Sequence, residues 1–192
     1  MKKEINPDKK LQAYIIGLCI GDGNLSNPNG RTVRLRITCD NKYPKLKKHI
    51  KESLQRLLPE NKVSKINRKG CVDISCYSNQ LEEILRWKAK GGSKLKQNVS
   101  IPNWIIKNKI YSKECLRGLF QTDGCMYKDR GYIMVNYTTI IEKLVLDIEN
   151  IIINLGYKPQ TRKVITGKYK KYVLRISKDT NKFIKEINLW KE

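Results

Sequence analysis

Two nine-residue stretches of this chain are versions of one another, and they restrict its architecture more than any other feature. Ile15-Ile16-Gly17-Leu18-Cys19-Ile20-Gly21-Asp22-Gly23 and Leu116-Arg117-Gly118-Leu119-Phe120-Gln121-Thr122-Asp123-Gly124 superpose without a gap, 101 positions apart. Gly17 falls on Gly118, Leu18 on Leu119, Gly21 on Thr122, Asp22 on Asp123 and Gly23 on Gly124. A pattern held in register twice marks an internal duplication. Each copy reads as a helix that ends just past an acid. Asn6-Pro7 offers the first helix a cap and a proline at its first position, Ser112 offers a cap to the second, and Gly23 and Gly124 are placed to end them.

Gly17 with Gly21, and Gly118 with Thr122, set small residues one turn apart on one helix face, where a second backbone can approach closely. The natural partner of each copy is the other copy. If they pack in parallel, Asp22 and Asp123 arrive side by side at the same end. That placement costs free energy twice, because a carboxylate at a helix C-terminus opposes the macrodipole and neighbouring carboxylates repel. A divalent cation would relieve both costs.

The 192 residues suit one domain or two small ones, and 40% hydrophobic residues are enough for a core. With 40 Lys and Arg against 18 Asp and Glu, the net charge of +22 is spread along the chain and points to a long polyanion as partner. No apolar run of transmembrane length and no signal peptide is visible, so a membrane is not expected. Cys19, Cys39, Cys71, Cys76, Cys115 and Cys125 contain no C-x-x-C pair. They read as free thiols of an intracellular, reducing compartment rather than a zinc site. His49, the only histidine, is read as a surface residue of a lysine-rich helix.

After Asp22 a turn at Asn27-Pro28-Asn29-Gly30 leads into Arg31 to Thr38, which alternates strictly. Val33, Leu35 and Ile37 take the core face, leaving Thr32, Arg34, Arg36 and Thr38 for the cationic side. Pro44 opens a helix with Leu46, Ile50, Leu54, Leu57 and Leu58 on one side. A second hairpin covers Lys62 to Arg68 and Cys71 to Tyr77, and Leu81, Ile84, Leu85 and Trp87 mark a last helix. The order recurs after Asp123. Tyr132 to Thr138 alternates, a helix runs through Leu144, Ile148, Ile151, Ile152 and Leu155, and a hairpin of Tyr157 to Ile165 and Lys171 to Ser177 follows. Phe183, Ile184, Ile187 and Trp190 stripe the closing helix. The predicted fold class is therefore α+β: two pseudo-symmetric αββαββα repeats, each with an antiparallel sheet, joined by the motif-helix pair. Residues 1–90 form the first repeat, 91–110 the linker and 111–192 the second.

The paired motifs resemble those of the LAGLIDADG homing endonucleases in their single-chain, two-repeat form, over nearly the whole chain. The resemblance implies a site-specific, double-strand DNA endonuclease that cuts one phosphodiester per strand across the minor groove and leaves short 3′ overhangs. Asp22 and Asp123, with Gly21 and Thr122 beside them, would hold Mg²⁺, which Mn²⁺ or Ca²⁺ can replace for binding. Lys94-Leu95-Lys96-Gln97 resembles the segment with the family's active-site lysine, and that match assigns Lys96. No second copy of the segment is found. The partner would be double-stranded DNA, gripped by a monomer that requires no protein partner. Contacts are expected from Arg31, Thr32, Arg34, Arg36, Thr38, Lys65 and Asn67 in the first repeat. In the second they are expected from Tyr132, Met134, Asn136, Gln160, Arg162, Lys171 and Arg175. The motifs depart from the family pattern at Ile20 and Gln121, where the acid of its name stands. The amide common after the long strand is missing at Thr38-Cys39-Asp40 and at Thr138-Thr139. An intron RNA maturase and a non-catalytic DNA-binding protein of the same fold remain alternatives. An intein origin is less expected, since the sequence starts at Met1 without flanking splicing residues.

Overall fold

The computed structural model describes residues 8–192, so the proposed Asn6-Pro7 cap lies outside the described residues. The first repeat runs α1 (Lys9–Asp22), β1 (Gly23–Ser26), β2 (Arg34–Asp40), α2 (Pro44–Leu57), β3 (Ser64–Asn67), β4 (Cys71–Tyr77) and α3 (Leu81–Leu85). A short helix, α4 (Asn103–Ile106), precedes the second repeat. That repeat runs α5 (Lys109–Thr122), β5 (Gly124–Asp129), β6 (Tyr132–Thr139), α6 (Glu142–Asn154), β7 (Gln160–Thr166), β8 (Tyr169–Ile176) and α7 (Thr180–Glu186). Each repeat holds one four-stranded antiparallel sheet, ordered β1-β2-β4-β3 and β5-β6-β8-β7. The α+β fold and the duplication are as the sequence predicts.

The two motif helices form the centre. Residues 13 to 20 of α1 are buried without interruption, the burial expected of a helix surrounded on all sides rather than laid on a surface. Its partner α5 packs backbone to backbone against it. A Cβ on Gly17 would come within 2.1 Å of the Cys115 carbonyl oxygen, and one on Gly118 within 2.4 Å of the Tyr14 carbonyl oxygen. Only glycine permits that approach. The helix starts differ from expectation. Asp8 caps α1 by accepting from Leu11 N at 3.1 Å, and Asn108 caps α5 by accepting from Ile110 N and Tyr111 N at 2.9 and 3.2 Å. Ser112 lies one turn inside, its hydroxyl donating to the Ile105 carbonyl.

Gly23 and Gly124 end the two helices as predicted, but Gly23 does so without a left-handed cap. Gly23 has φ −75°, an ordinary extended conformation, and is the first residue of β1. Glycine is needed there because the strand leaves the helix so sharply that a Cβ would lie 2.5 Å from Cys19 Cα. At Gly124 the corresponding clash is with Phe120. Each acid is thereby fixed at the corner where a buried helix turns into a strand.

The remaining helices cover one face of each sheet. In α2, Leu46, Ile50, Leu54 and Leu57 recur every three or four residues, and all are buried against α1 and the inward side chains Leu35, Ile37, Ile74 and Cys76. In the second repeat Val135, Tyr137, Leu174 and Ile176 do the same beneath α6. The opposite sheet faces are open. His49 is half-buried rather than at the surface, with its ring 5.3 Å from that of Tyr14 and 5.5 Å from that of Trp190.

Candidate active site and nucleic-acid interface

The acids meet as the duplication requires. Asp22 ends α1 and Asp123 caps the end of α5. A Cβ placed on Gly21 would touch the Thr122 side chain and stand 3.4 Å from the Asp123 Oδ2 atom, so the two corners adjoin. Both carboxylates are open to solvent on one side and crowded by protein on the other. Loss of hydration is the largest influence on each. It pushes Asp123 up to about 6, with the negative charge of Asp22 adding to the rise, and it raises Asp22 as well. The buried Tyr137 hydroxyl lies within electrostatic reach of both acids and makes no hydrogen bond of ordinary geometry.

Two lysines complete the centre, and neither is the one assigned from sequence. Lys94 Nζ donates to the carbonyls of Cys19 and Ile20 at 2.9 and 2.7 Å and to that of Gly21. Lys191 Nζ donates to the carbonyls of Thr122 and Gly124 at 2.9 and 3.1 Å. These carbonyls lie at and just beyond the helix ends, where the macrodipole favours a cation. Lys96 points away. It is exposed, and its aliphatic stem lies near Gly92. The lysines act crosswise: Lys94 is tied to α1 and bears more on Asp123, while Lys191 is tied to α5 and bears more on Asp22. Burial lowers the pKa of both ammonium groups. The second lysine was missed because it comes from the tail after α7 and not from a repeated segment. Its one visible signal is Trp190-Lys191, which echoes Trp87-Lys88.

Gly21 and Thr122, expected beside the metal, supply carbonyls that these lysines already occupy. No group of three or more His, Cys, Asp or Glu able to hold a metal occurs among the described residues. Two oxygen-donor carboxylates, both resisting ionisation without a counter-charge, nonetheless suit a hard cation such as Mg²⁺ whose other positions are filled by water and phosphate. A cavity of about 210 Å³ lined by Asp22, Thr38, Cys39, Tyr43, Gln121 and Lys191 leads to one side of the centre. The motif departure at Gln121 is structural. It is 1% exposed, accepts from the Tyr14 hydroxyl at 2.7 Å and donates to the Trp190 carbonyl at 3.0 Å, fastening the tail that carries Lys191.

The open sheet faces carry most of the residues expected to contact a polyanion. Cross-strand partners share a face, so register decides which residues lie there. Arg34, Arg36 and Thr38 pair with Tyr77, Ser75 and Asp73 on the open side. Tyr132, Asn136, Gln160, Arg162, Lys171 and Arg175 are likewise on the open side of the second sheet. Three groups are placed differently. Arg31 and Thr32 precede β2 in the loop, where Asn29 Oδ1 accepts from their amides. Lys65 and Asn67 pair with Ile74 and Val72 and so lie on the helix side, which gives the open side to Ile66. Met134 is on the open face but only 9% exposed. Asn24, Ser26, Tyr127, Arg68 and Asp73, unassigned from sequence, belong to the open faces. Ser26 accepts from Arg34 Nε at 3.2 Å, and Asn136 donates to the Tyr127 hydroxyl at 3.2 Å.

Residues 111–188 match the family described as a LAGLIDADG-like domain. Curated relatives include the ribonucleoside-diphosphate reductase NrdEB subunit alpha of Bacillus subtilis, 25% identical over 162 residues. The match covers 75% of this chain and 14% of that protein. Another is the replication factor C small subunit of Methanocaldococcus jannaschii, 27% identical over 186 residues, or 91% of this chain and 10% of that one. The chain thus spans only a small part of either relative. Similar solved structures include the homing endonuclease I-DmoI in complex with DNA and Ca, with 21% identity, a TM-score of 0.71 and coverage of 93% and 89% of the two chains. The complex of I-DmoI with DNA and Mn has a TM-score of 0.70 at 21% identity, covering 93% of this chain and 96% of that one. The N-terminal LAGLIDADG domain of DUF199/WhiA follows at 13% identity and a TM-score of 0.64, covering 98% of this chain and 88% of that one. At these identities the likeness is one of fold.

Proposed function

We propose that this chain, which has the two-repeat fold of the LAGLIDADG homing endonuclease I-DmoI and a LAGLIDADG-like domain as its second half, is itself a site-specific, divalent-metal-dependent double-strand DNA endonuclease. One observation carries the reading. Two carboxylates stand at adjoining helix ends, each faced by a lysine, midway between two open cationic sheet faces in a chain of net charge +22. A fold kept only for binding has no use for that costly pair of acids.

The sheet faces would straddle the duplex, their arginines neutralising phosphates and reaching base edges, with the centre over the minor groove. Asp22 and Asp123 would hold the cation against a scissile phosphate, one on each strand. When bound, Mg²⁺ polarises the phosphate and lowers the pKa of a coordinated water. Lys94 and Lys191, held by helix carbonyls and with lowered affinity for their protons, are placed to stabilise charge building on the phosphate and to orient the attacking water. By resemblance to the LAGLIDADG homing endonucleases, the products would carry short 3′ overhangs. A monomer suffices, and the six free thiols fit an intracellular, reducing compartment. Intron homing is the biological role this chemistry serves in the reading.

The test is cleavage of a selected duplex with Mg²⁺. Asp22→Asn and Asp123→Asn should each abolish double-strand cleavage while leaving binding within a few-fold of wild type. Lys94→Met or Lys191→Met should slow single-turnover cleavage by about a hundredfold, whereas Lys96→Met should leave the chemical step unchanged. Double-strand cleavage by either asparagine variant at the wild-type rate would overturn the reading. Binding of a folded intron RNA in preference to any duplex, without cleavage, would replace it with the maturase alternative.

A further inference from the structure

A carboxylate lies buried in the middle of the cationic face of the first sheet. Asp73, on β4, pairs with Thr38 on one side and Ile66 on the other and is 2% exposed. Its Oδ1 atom accepts from the Thr38 hydroxyl at 2.8 Å. Its Oδ2 atom is 2.5 Å from Arg68 Nε and 4.0 Å from an Arg36 terminal nitrogen. The second sheet has Val173 at the equivalent place, so the acid is no requirement of the fold. For a protein that needs only to hold a polyanion, a negative charge here is a liability.

The charge makes sense if the arginines must read rather than merely grip. A free guanidinium beside DNA settles on the nearest phosphate, which carries no sequence information. Held along one edge by a carboxylate, it turns its remaining N–H groups outward as a planar donor pair, which matches the O6 and N7 acceptors of guanine in the major groove. The Asp73 carboxylate also repels phosphate from the same spot. The arrangement is incomplete in the protein alone: Asp73 Oδ2 and Arg36 Nε are buried without an aligned hydrogen bond, while Arg36 and Arg68 keep 34% and 54% of their side-chain surface open.

We propose that Asp73 is a specificity-determining positioning residue, which fixes Arg36 and Arg68 as readers of guanine in the half-site under the first sheet. This rests on the reading of the protein as a DNA endonuclease. The test binds the intact protein, in Ca²⁺, to a randomised duplex library and separately to a duplex of unrelated sequence. Asp73→Asn should bind the unrelated duplex as tightly as wild type or several-fold tighter, because one negative charge is gone. Its preference for guanine at one or two positions of that half-site should fall about tenfold or more, with the other half-site unchanged. Arg68→Lys, which keeps the counter-charge to Asp73 but loses the planar donor pair, should relax the same positions if Asp73→Asn misfolds. An unchanged base preference in a folded Asp73→Asn variant, or in Arg68→Lys, would reduce the cluster to an ion pair and overturn the proposal while leaving the endonuclease reading intact. Failure of the wild type to bind duplex at all would remove both.

Discussion

Asp22 and Asp123 are equivalent in sequence but differ in their surroundings. The Asp123 carboxyl is pushed up to about 6 by lost hydration and by Asp22 beside it. A folded-state value above the unfolded one means that this group favours the fold below the usual carboxylate range and loses that contribution as pH rises towards 6. Thermal melts of the metal-free protein should therefore lose stability between about pH 4 and pH 6, and Asp123→Asn should flatten that part of the profile; an unaltered profile would show the shift is not there. Cleavage, in the proposed endonuclease, should have the opposite dependence and weaken at acid pH, where protons compete with the cation for Asp123. The acids, the charge and the alternation of β2 were legible because each is written in consecutive residues. The lysines were not. Lys94 and Lys96 both fit the segment by sequence, and only the path of the loop decides that Lys94 turns inward to the ends of α1 and Lys96 outward.

The duplicated helices were legible in the sequence because close packing needs small residues one turn apart, and that spacing is visible in the order of residues alone. Their energetic role separates cleanly from ordinary glycine flexibility. Gly17→Ala or Gly118→Ala drives a Cβ into a carbonyl oxygen, at 2.1 and 2.4 Å, and should cost about 2–3 kcal/mol or more by forcing the helices apart. Gly30→Ala, in a turn with φ +74° and nothing within 4 Å, should cost only about 1 kcal/mol. Denaturation midpoints of the three variants would check the ranking, and equal losses would refute the fitted-backbone account. Strand faces were legible only where burial writes them. In β2 the alternation is strict and the core face is apolar. In the edge strand β3 the only apolar residue, Ile66, is on the open side and 54% exposed, so nothing in Ser64–Asn67 signals its parity. Register across the turn at Gly70 sets it instead, which is why Lys65 and Asn67 came out on the wrong face.

At the scale of the molecule the two sheets carry different side chains on their open faces. The first carries Arg34, Arg36 and Arg68 around Asp73, and the second Arg162, Lys171 and Arg175, the last held by Asp129 at 3.1 Å. Such a surface fits an asymmetric target. With about six phosphates neutralised, duplex affinity should drop about a thousandfold between 50 and 200 mM salt; titrations showing a flat response would exclude a grip on the backbone. One further consequence concerns time rather than space. The segment after α7 binds back on the first repeat: the Glu192 carbonyl accepts from Leu46 N at 2.9 Å and Trp190 packs on His49, which delivers Lys191 to the centre. A ribosome has by then produced both carboxylates, both sheets and the other lysine. If the chain is the endonuclease proposed above, its binding faces and both acids would be made before Lys191, and competence to cut would follow competence to bind, arriving when the segment carrying Lys191 folds into place.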